Sequence, residues 1–406
     1  MIVGILIVAA VMRLAIVGGL FAYTDHATVP FGSLFGDEEY FKRRSLWLRS
    51  MALHVDISDA DRVYATDEYS DTSYLYLLAF IQILVGDAPY GVHAFSILLY
   101  LIGSIILFRF MRDSFGQAPA LISFVFVLFL PSLFLWSVSA LRESIHFMLT
   151  TIAIVCGTGA FAGSRPLPRR VVLAAAAVAA TLALRDLRAG SMAVVSASVA
   201  IAIGGSFLAR RPRLLTVAVV AAILAGGVAL TRPAVQARMM SAIRASAMIH
   251  QGHVFTPGLH YKLLDPRFYF ERNTGMMDSM TPDEGIRFVV RALIAAVVVP
   301  LPWQADSRLI QVYLPEQLLW YAVILLFPAG VFVAWRYRHE QTLVLAAYVV
   351  LMGTAIALTS GNVGTLIRHR GLVWPFVICL VSVAICHALA RTARRPLMPR
   401  AIERTV

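Results

Sequence analysis

The chain has 406 residues, of which 59% are hydrophobic and only 14% charged, and its mean hydropathy is +0.76. So few polar side chains cannot cover a water-exposed surface, which excludes a soluble globular protein. The formal net charge of +12 does not point to nucleic acid, because the arginines gather in short gaps between apolar runs, the habit of cytoplasmic loops.

The apolar runs are roughly 18–22 residues long, enough to cross about 30 Å of hydrocarbon. The first covers 2–22. Arg13 interrupts it and no small-x-small site precedes a polar shift, so it is expected to be an uncleaved span rather than a signal peptide. Segment 23–72 follows, hydrophilic, with ten acidic residues against five basic. Tyr74–Phe80 is apolar but short, ends at Gly86-Asp87-Ala88-Pro89, and reads as a helix lying along the interface. Further spans are expected at 91–108, 117–136, 144–162, 171–184, 190–208 and 213–231. A second hydrophilic region, 232–285, reads as an external loop. After it come apolar 286–301, spans at 315–334, 342–359 and 372–390, and a basic tail, 391–406.

The polar gaps alternate. Arg109 and Arg112, Arg165/Arg169/Arg170 and Arg210/Arg211/Arg213 fall on one side; 23–72, the turn at 137–144 and Arg185-Asp186-Leu187-Arg188 fall on the other. The positive-inside rule makes the first group cytoplasmic, with the N-terminus inside and the acidic segment outside. If 286–301 crosses, Arg336, Arg338 and the tail land outside; if it is re-entrant or interfacial, they land inside. Arg287 and Arg291 favour the second version, giving ten spans, with eleven as the alternative. The expected fold is an all-α polytopic membrane protein in the cytoplasmic (inner) membrane, with both termini inside. No repeat or linker divides it, so 1–406 reads as one membrane domain.

Three places can carry chemistry. The first is Gly36-Asp37-Glu38-Glu39-Tyr40, within an external segment that also holds Asp56, Asp59, Asp61, Asp67, Glu68 and Asp71. Any one of these suits a solvated loop. A carboxylate at the bilayer surface can also act as general base on an incoming hydroxyl, and Asp37 is best placed, between a glycine and aromatics (Tyr40, Phe41) able to seat among headgroups. The second is Arg142-Glu143 at the turn between two spans, where charge is costly unless solvated or paired, with His146 on the same helical face as Glu143. The third is the external stretch Ser360–Arg370, where Arg368, His369 and Arg370 beside Gly361 and Gly364 suit phosphate; Arg185 and Arg188 are further external cations. Cys156, Cys379 and Cys386 lie in apolar runs and read as packing residues. His250, His253 and His260 fit no ligand template. No cofactor is expected, and a divalent metal has no sequence pattern to support it.

The order of Gly36–Tyr40, Tyr74–Ala79 with Gly86, Arg109-Phe110-Met111-Arg112 with Phe115-Gly116, Pro131 and Glu143 resembles the integral-membrane C-type glycosyltransferases. The likeness is to the bacterial relatives of protein O-mannosyltransferases and of the lipid A aminoarabinose transferase. It covers roughly residues 1–165, with 1–231 as the corresponding helical module and 286–390 as further helices. The resemblance implies an external catalytic carboxylate, carried to Asp37 with Glu38 and Glu143 beside it, and a polyprenyl-phosphate-linked sugar as donor. The acceptor would be an extracytoplasmic glycan, lipid or protein, with membrane lipid as the other partner. The family's usual Asp after the proline is Arg142-Glu143 here, and the C-terminal half has no soluble sugar-binding domain. Two other functions fit the same composition: a polysaccharide polymerase or ligase, in which external arginines matter more than Asp37, and a transporter or flippase of lipid-linked sugars, which calls for broken helices and mid-membrane charge.

Overall fold

The computed structural model describes residues 1–29, 32–67, 72–86, 89–161, 165–188, 190–270, 274–304 and 308–393. Glu68, Asp71, Asp87, Ala88 and the tail beyond 393 lie outside the described residues. Seventeen α-helices and no strand are found among the described residues, with a single antiparallel bridge between His260 and Asn362. The chain divides into two compact units, Met1–Ser196 and Ala197–Val406, with no linker in the sequence to announce the boundary.

The first unit holds α1 (Ile2–Tyr23), α2 (Gly36–Ala52), α3 (Asp59–Ala65), α4 (Ser73–Val85), α5 (Pro89–Phe115), α6 (Gln117–Phe129), α7 (Pro131–Val138), α8 (Glu143–Phe161), α9 (Leu167–Leu187) and the start of α10 (Ser191–Ala209). Gly116, at φ 96°, makes the tight turn from α5 into α6. Arg165 and Arg170 donate to Gly159 O and Ala160 O, the last carbonyls of α8, so part of the basic gap caps a helix end.

The expected span 117–136 is broken. Pro131 has no N–H, and α6 and α7 meet at 59°. The break frees two carbonyls. Val127 O accepts from Tyr100 Oη at 2.6 Å, and Leu128 O accepts from Arg13 Nη2 at 2.8 Å. Arg13 also donates to Ser137 Oγ at 2.7 Å and to Ala9 O at 3.0 Å, and lies over the Phe134 ring at 4.5 Å. The arginine that interrupts the first span is thus fully buried, occupied by backbone that a proline left unpaired.

The second unit holds α11 (Pro212–Leu230), α12 (Pro233–Val254), α13 (Pro282–Val298), α14 (Arg308–Trp335), α15 (His339–Thr359), α16 (Val363–Arg370) and α17 (Trp374–Ala393). The region 232–285 is not the loop expected from its polarity. Its first half is α12, whose last turns bury Ala247, His250, Gln251 and Val254. Further on, Thr281 and Glu284 form a capping box that starts α13, with Pro282 just inside it.

Among the described residues nine helices are long and apolar enough to cross a membrane, or ten if the bent pair α6–α7 counts as one span. α13 is not one of them. It is amphipathic, turning Gly285, Phe288, Ala292 and Ala295 inward and leaving Ile286, Val290, Leu293 and Ile294 exposed. Its two arginines are held by one carboxylate: Asp265 accepts from Arg287 at 2.6 Å and from Arg291 at 2.9 Å.

Candidate active site

In the first unit, Lys42–His93 and Tyr74 Oη–Ala140 O join α2 and α4 to the start of α5 and to the turn before α8, and Arg142, Glu143 and His146 join the start of α8 to the end of α9 and the start of α10, so these lie at one end of the spans. α2 presents a polar stripe inward: Glu38, Lys42 and Ser45 are fully buried at helical spacing. Ser45 Oγ accepts from Gln82 Nε2 at 2.8 Å, and Arg49 donates to Gln82 O at 3.0 Å, tying α2 to α4. Beside these polar rungs Leu48, Ala65, Leu75 and Ala79 form a small apolar core under Phe41 and Trp47. Tyr40 stacks under the Arg44 guanidinium at 4.1 Å, and Arg44 forks onto Asp67. Tyr40 therefore braces α2 and the segment after α3.

Glu38 Oε2 accepts from Leu34 N at 3.2 Å and lies 3.8 Å from both Lys42 Nζ and His93 Nε2. Lys42 donates to Gly32 O and to His93 Nε2, and His93 Nδ1–H donates to Val138 O at 2.7 Å, which leaves Nε2 as the acceptor. Burial drives the Glu38 carboxyl well above the ordinary carboxylate range, against the pull of Lys42 and of the Leu34 and Ala140 amides. The same burial drives Lys42 below the ordinary ammonium range, with Glu38 opposing it. Glu143 is close enough that its charge adds to the rise at Glu38.

Glu143, buried at the first turn of α8, is paired with Arg188 at 3.3 Å. Arg142 donates to Leu187 O at 3.0 Å, and His146 hydrogen-bonds Ser191 Oγ at 2.9 Å. The expected shared face of Glu143 and His146 is present, since both are buried. Arg188 is the cation that meets Glu143, while Arg185 is exposed. Asp37 lies one residue before the buried carboxylate, exposed in the first turn of α2. Of the acidic trio, then, Asp37 and Glu39 are exposed, Glu39 paired with Arg43, and Glu38 is locked inside.

The stretch expected to cradle phosphate, Ser360–Arg370, is largely occupied by protein. Asn362 caps α16, and its Oδ1 accepts from Gly364 N at 2.8 Å and Thr365 N at 3.5 Å. The amide of Gly364 is therefore not open to a ligand. Gly361 O accepts from Tyr261 N, and a Cβ at Gly361 would collide with His250 O, so glycine is needed there for close approach. Arg370 is buried and donates to Ala296 O at 2.7 and 3.1 Å, to Val297 O at 3.4 Å, to Val299 O and to Gln317 Oε1 at 2.7 Å. It caps the C-terminal end of α13 instead of presenting a free guanidinium. His369 is buried and Arg368 is half-buried. His250 and His253 also cap: their Nδ1–H groups donate to Ser360 O at 2.6 Å and Thr359 O at 2.7 Å, at the end of α15.

Among the described residues no three His, Cys, Asp or Glu side chains gather as a metal site. The sequence reading did not single out Lys42 or His93. Their signal was available as a Glu38–Lys42 pair four apart on one helix and a histidine in the first turns of a span.

The helices define the class: this is an all-α, multi-pass membrane protein. Compared with known proteins, the chain matches no family model, no curated protein and no solved structure.

Proposed function

We propose that the protein is a glycosyltransferase of the cytoplasmic membrane, moving a sugar from a polyprenyl-phosphate-linked donor to a hydroxyl of an extracytoplasmic glycan, lipid or protein. One observation carries the reading. Asp37 is exposed on the first turn of a helix immobilised by the buried Glu38–Lys42–His93 cluster, and Glu143 with Arg188 lies at the same end of the spans. That order of an early acidic turn, a proline and an acidic helix start is the order the C-type glycosyltransferases share.

Asp37 takes the proton from the acceptor hydroxyl as its oxygen bonds to the anomeric carbon. The bond from that carbon to the donor phosphate breaks on the opposite face, inverting the centre and releasing polyprenyl phosphate. Arg188, paired with Glu143 at the same end of the spans, is assigned to meet the departing charge, an electrostatic contribution of the kind that dominates such catalysis. Glu38 is a positioning residue, since it is sealed from any acceptor.

The test is donor consumption by the full chain in lipid nanodiscs, read as release of polyprenyl phosphate from a panel of polyprenyl-phosphate sugars. Asp37→Asn is expected to abolish turnover at unchanged expression and melting temperature, while Glu39→Gln retains it. Full activity in Asp37→Asn removes Asp37 from the mechanism. Near-full activity in Asp37→Asn together with loss in Arg368→Ala puts the polymerase or ligase reading in its place.

A further inference from the structure

Between Asp186 and Asp265 the sequence has no carboxylate, yet α12 follows directly on Arg232 and carries Arg238 and Arg244. Arg244 is engaged within the unit, donating to Met280 O at 2.9 Å. Arg232 and Arg238 are exposed, and their side chains make no hydrogen bond or ion pair among the described residues.

The neighbouring spans fix where this helix lies. α11, which leads into it, is long and apolar enough to cross a bilayer and buries none of its apolar stretch in protein, so hydrocarbon surrounds it. The end of α10 lies against the start of α15, where a Cβ on Gly205 would meet Leu343 Cδ1 at 2.6 Å. From that side α11 returns across the bilayer, so it ends on the side where α15 ends. The other end of α12 is fastened at the same place, by the His253 and His250 bonds to Thr359 O and Ser360 O. α12 has 22 residues and is about 33 Å long. With both ends on one side of the membrane, it lies along the surface.

Its outer face suits that position. Ala247, His250, Gln251 and Val254 turn inward. Roughly a third of a turn away Met239, Ala242 and Ile249 are exposed in one stripe, with Arg238 at its edge. An arginine there lays its stem on hydrocarbon and lifts its guanidinium to the headgroups. With no carboxylate on the helix, lipid phosphate is the counter-charge at hand, and a guanidinium fork matches it. We propose that α12 is an interfacial helix that binds anionic glycerophospholipid, Arg232 and Arg238 each holding a headgroup phosphate. The site is independent of whatever reaction the first unit performs.

The full chain with Cys156→Ser and Ala242→Cys takes a bimane label on the stripe, since Cys379 and Cys386 are buried. It is reconstituted in phosphatidylcholine vesicles holding a minor fraction of phosphatidylglycerol or phosphatidylcholine with a nitroxide near the top of the acyl chain, which quenches bimane on contact. Nitroxide phosphatidylcholine should quench, and nitroxide phosphatidylglycerol should do so at a lower mole fraction, by about fivefold for each arginine. Arg232→Gln combined with Arg238→Gln should cancel that preference while leaving the quenching by phosphatidylcholine, and high salt should weaken it. Equal quenching by the two lipids, or a preference that survives the double substitution, overturns the anionic site. Quenching by aqueous iodide and by neither lipid would place α12 in water and overturn the interfacial helix itself.

Discussion

Arg370→Met separates a structural arginine from a phosphate-binding one. Methionine keeps the apolar stem but strips the guanidinium from Ala296 O, Val299 O and Gln317 Oε1, the three firmly bound acceptors; the 3.4 Å contact to Val297 O is too long to add much. Each acceptor left buried without a donor costs about 1–3 kcal/mol, and removing a buried charge offsets part of that, leaving a net loss of roughly 3 kcal/mol. For a folded body of this unit's size a loss of 1 kcal/mol lowers Tm by about 2–4 °C, so the expected shift is roughly 6–12 °C. The readout is built in: Cys379 and Cys386 are buried in α17 and react with a thiol dye only on unfolding. Arg185→Met, at an exposed position, is the control. A shift within roughly 2 °C of wild type, combined with lost activity, refutes the capping role and returns Arg370 to the substrate.

Three further outcomes follow from the same geometry. Glu38 holds its proton more tightly folded than unfolded, so its contribution to stability falls as pH rises from the ordinary carboxylate range toward its raised value; Glu38→Gln should flatten that slope in pH-resolved melting. His250 runs the other way. Burial lowers it from 6.5 to about 4, so the unfolded chain binds the extra proton between those values and stability drops as pH falls through them, a drop that His250→Gln should diminish. Gly361→Ala should cost about 1–3 kcal/mol because its methyl meets the His250 carbonyl, whereas Gly226→Ala, in open space on α11, should be neutral or stabilising by up to about 1 kcal/mol; equal effects at both sites would refute the close approach.

The spans were legible because their signal is local: length and apolarity alone located α1, α5, α8–α11, α14, α15 and α17. The non-crossing alternative for 286–301 agrees with an α13 too short and too charged to qualify as a span. Residues 73–85 form a short apolar helix, as the run Tyr74–Phe80 implied. What escaped the sequence were decisions made by distant partners. Whether Asp37 or Glu38 points inward depends on the phase of α2, which its start at Gly36 and its packing on α4 set together. Arg370 looked available because its acceptors lie some seventy positions upstream. The polarity of 232–285 concealed α12, because two of that helix's polar residues, His250 and Gln251, face inward to carbonyls.

Arg13 carries a consequence for how the chain is made. It sits 115 residues before Leu128 and 124 before Ser137, the two later groups that satisfy it. At a synthesis rate of ~5–20 residues per second the first helix waits roughly 6–25 s for them. A central arginine disfavours insertion by about 2.5–3.5 kcal/mol, which the apolar residues around it outweigh, so the helix enters the bilayer with its guanidinium still unmatched. Only Ala9 O, on the same helix, is at hand during that interval. The proline-broken α6–α7 pair is what ends it, so α1 gets its final fit only when a much later segment arrives.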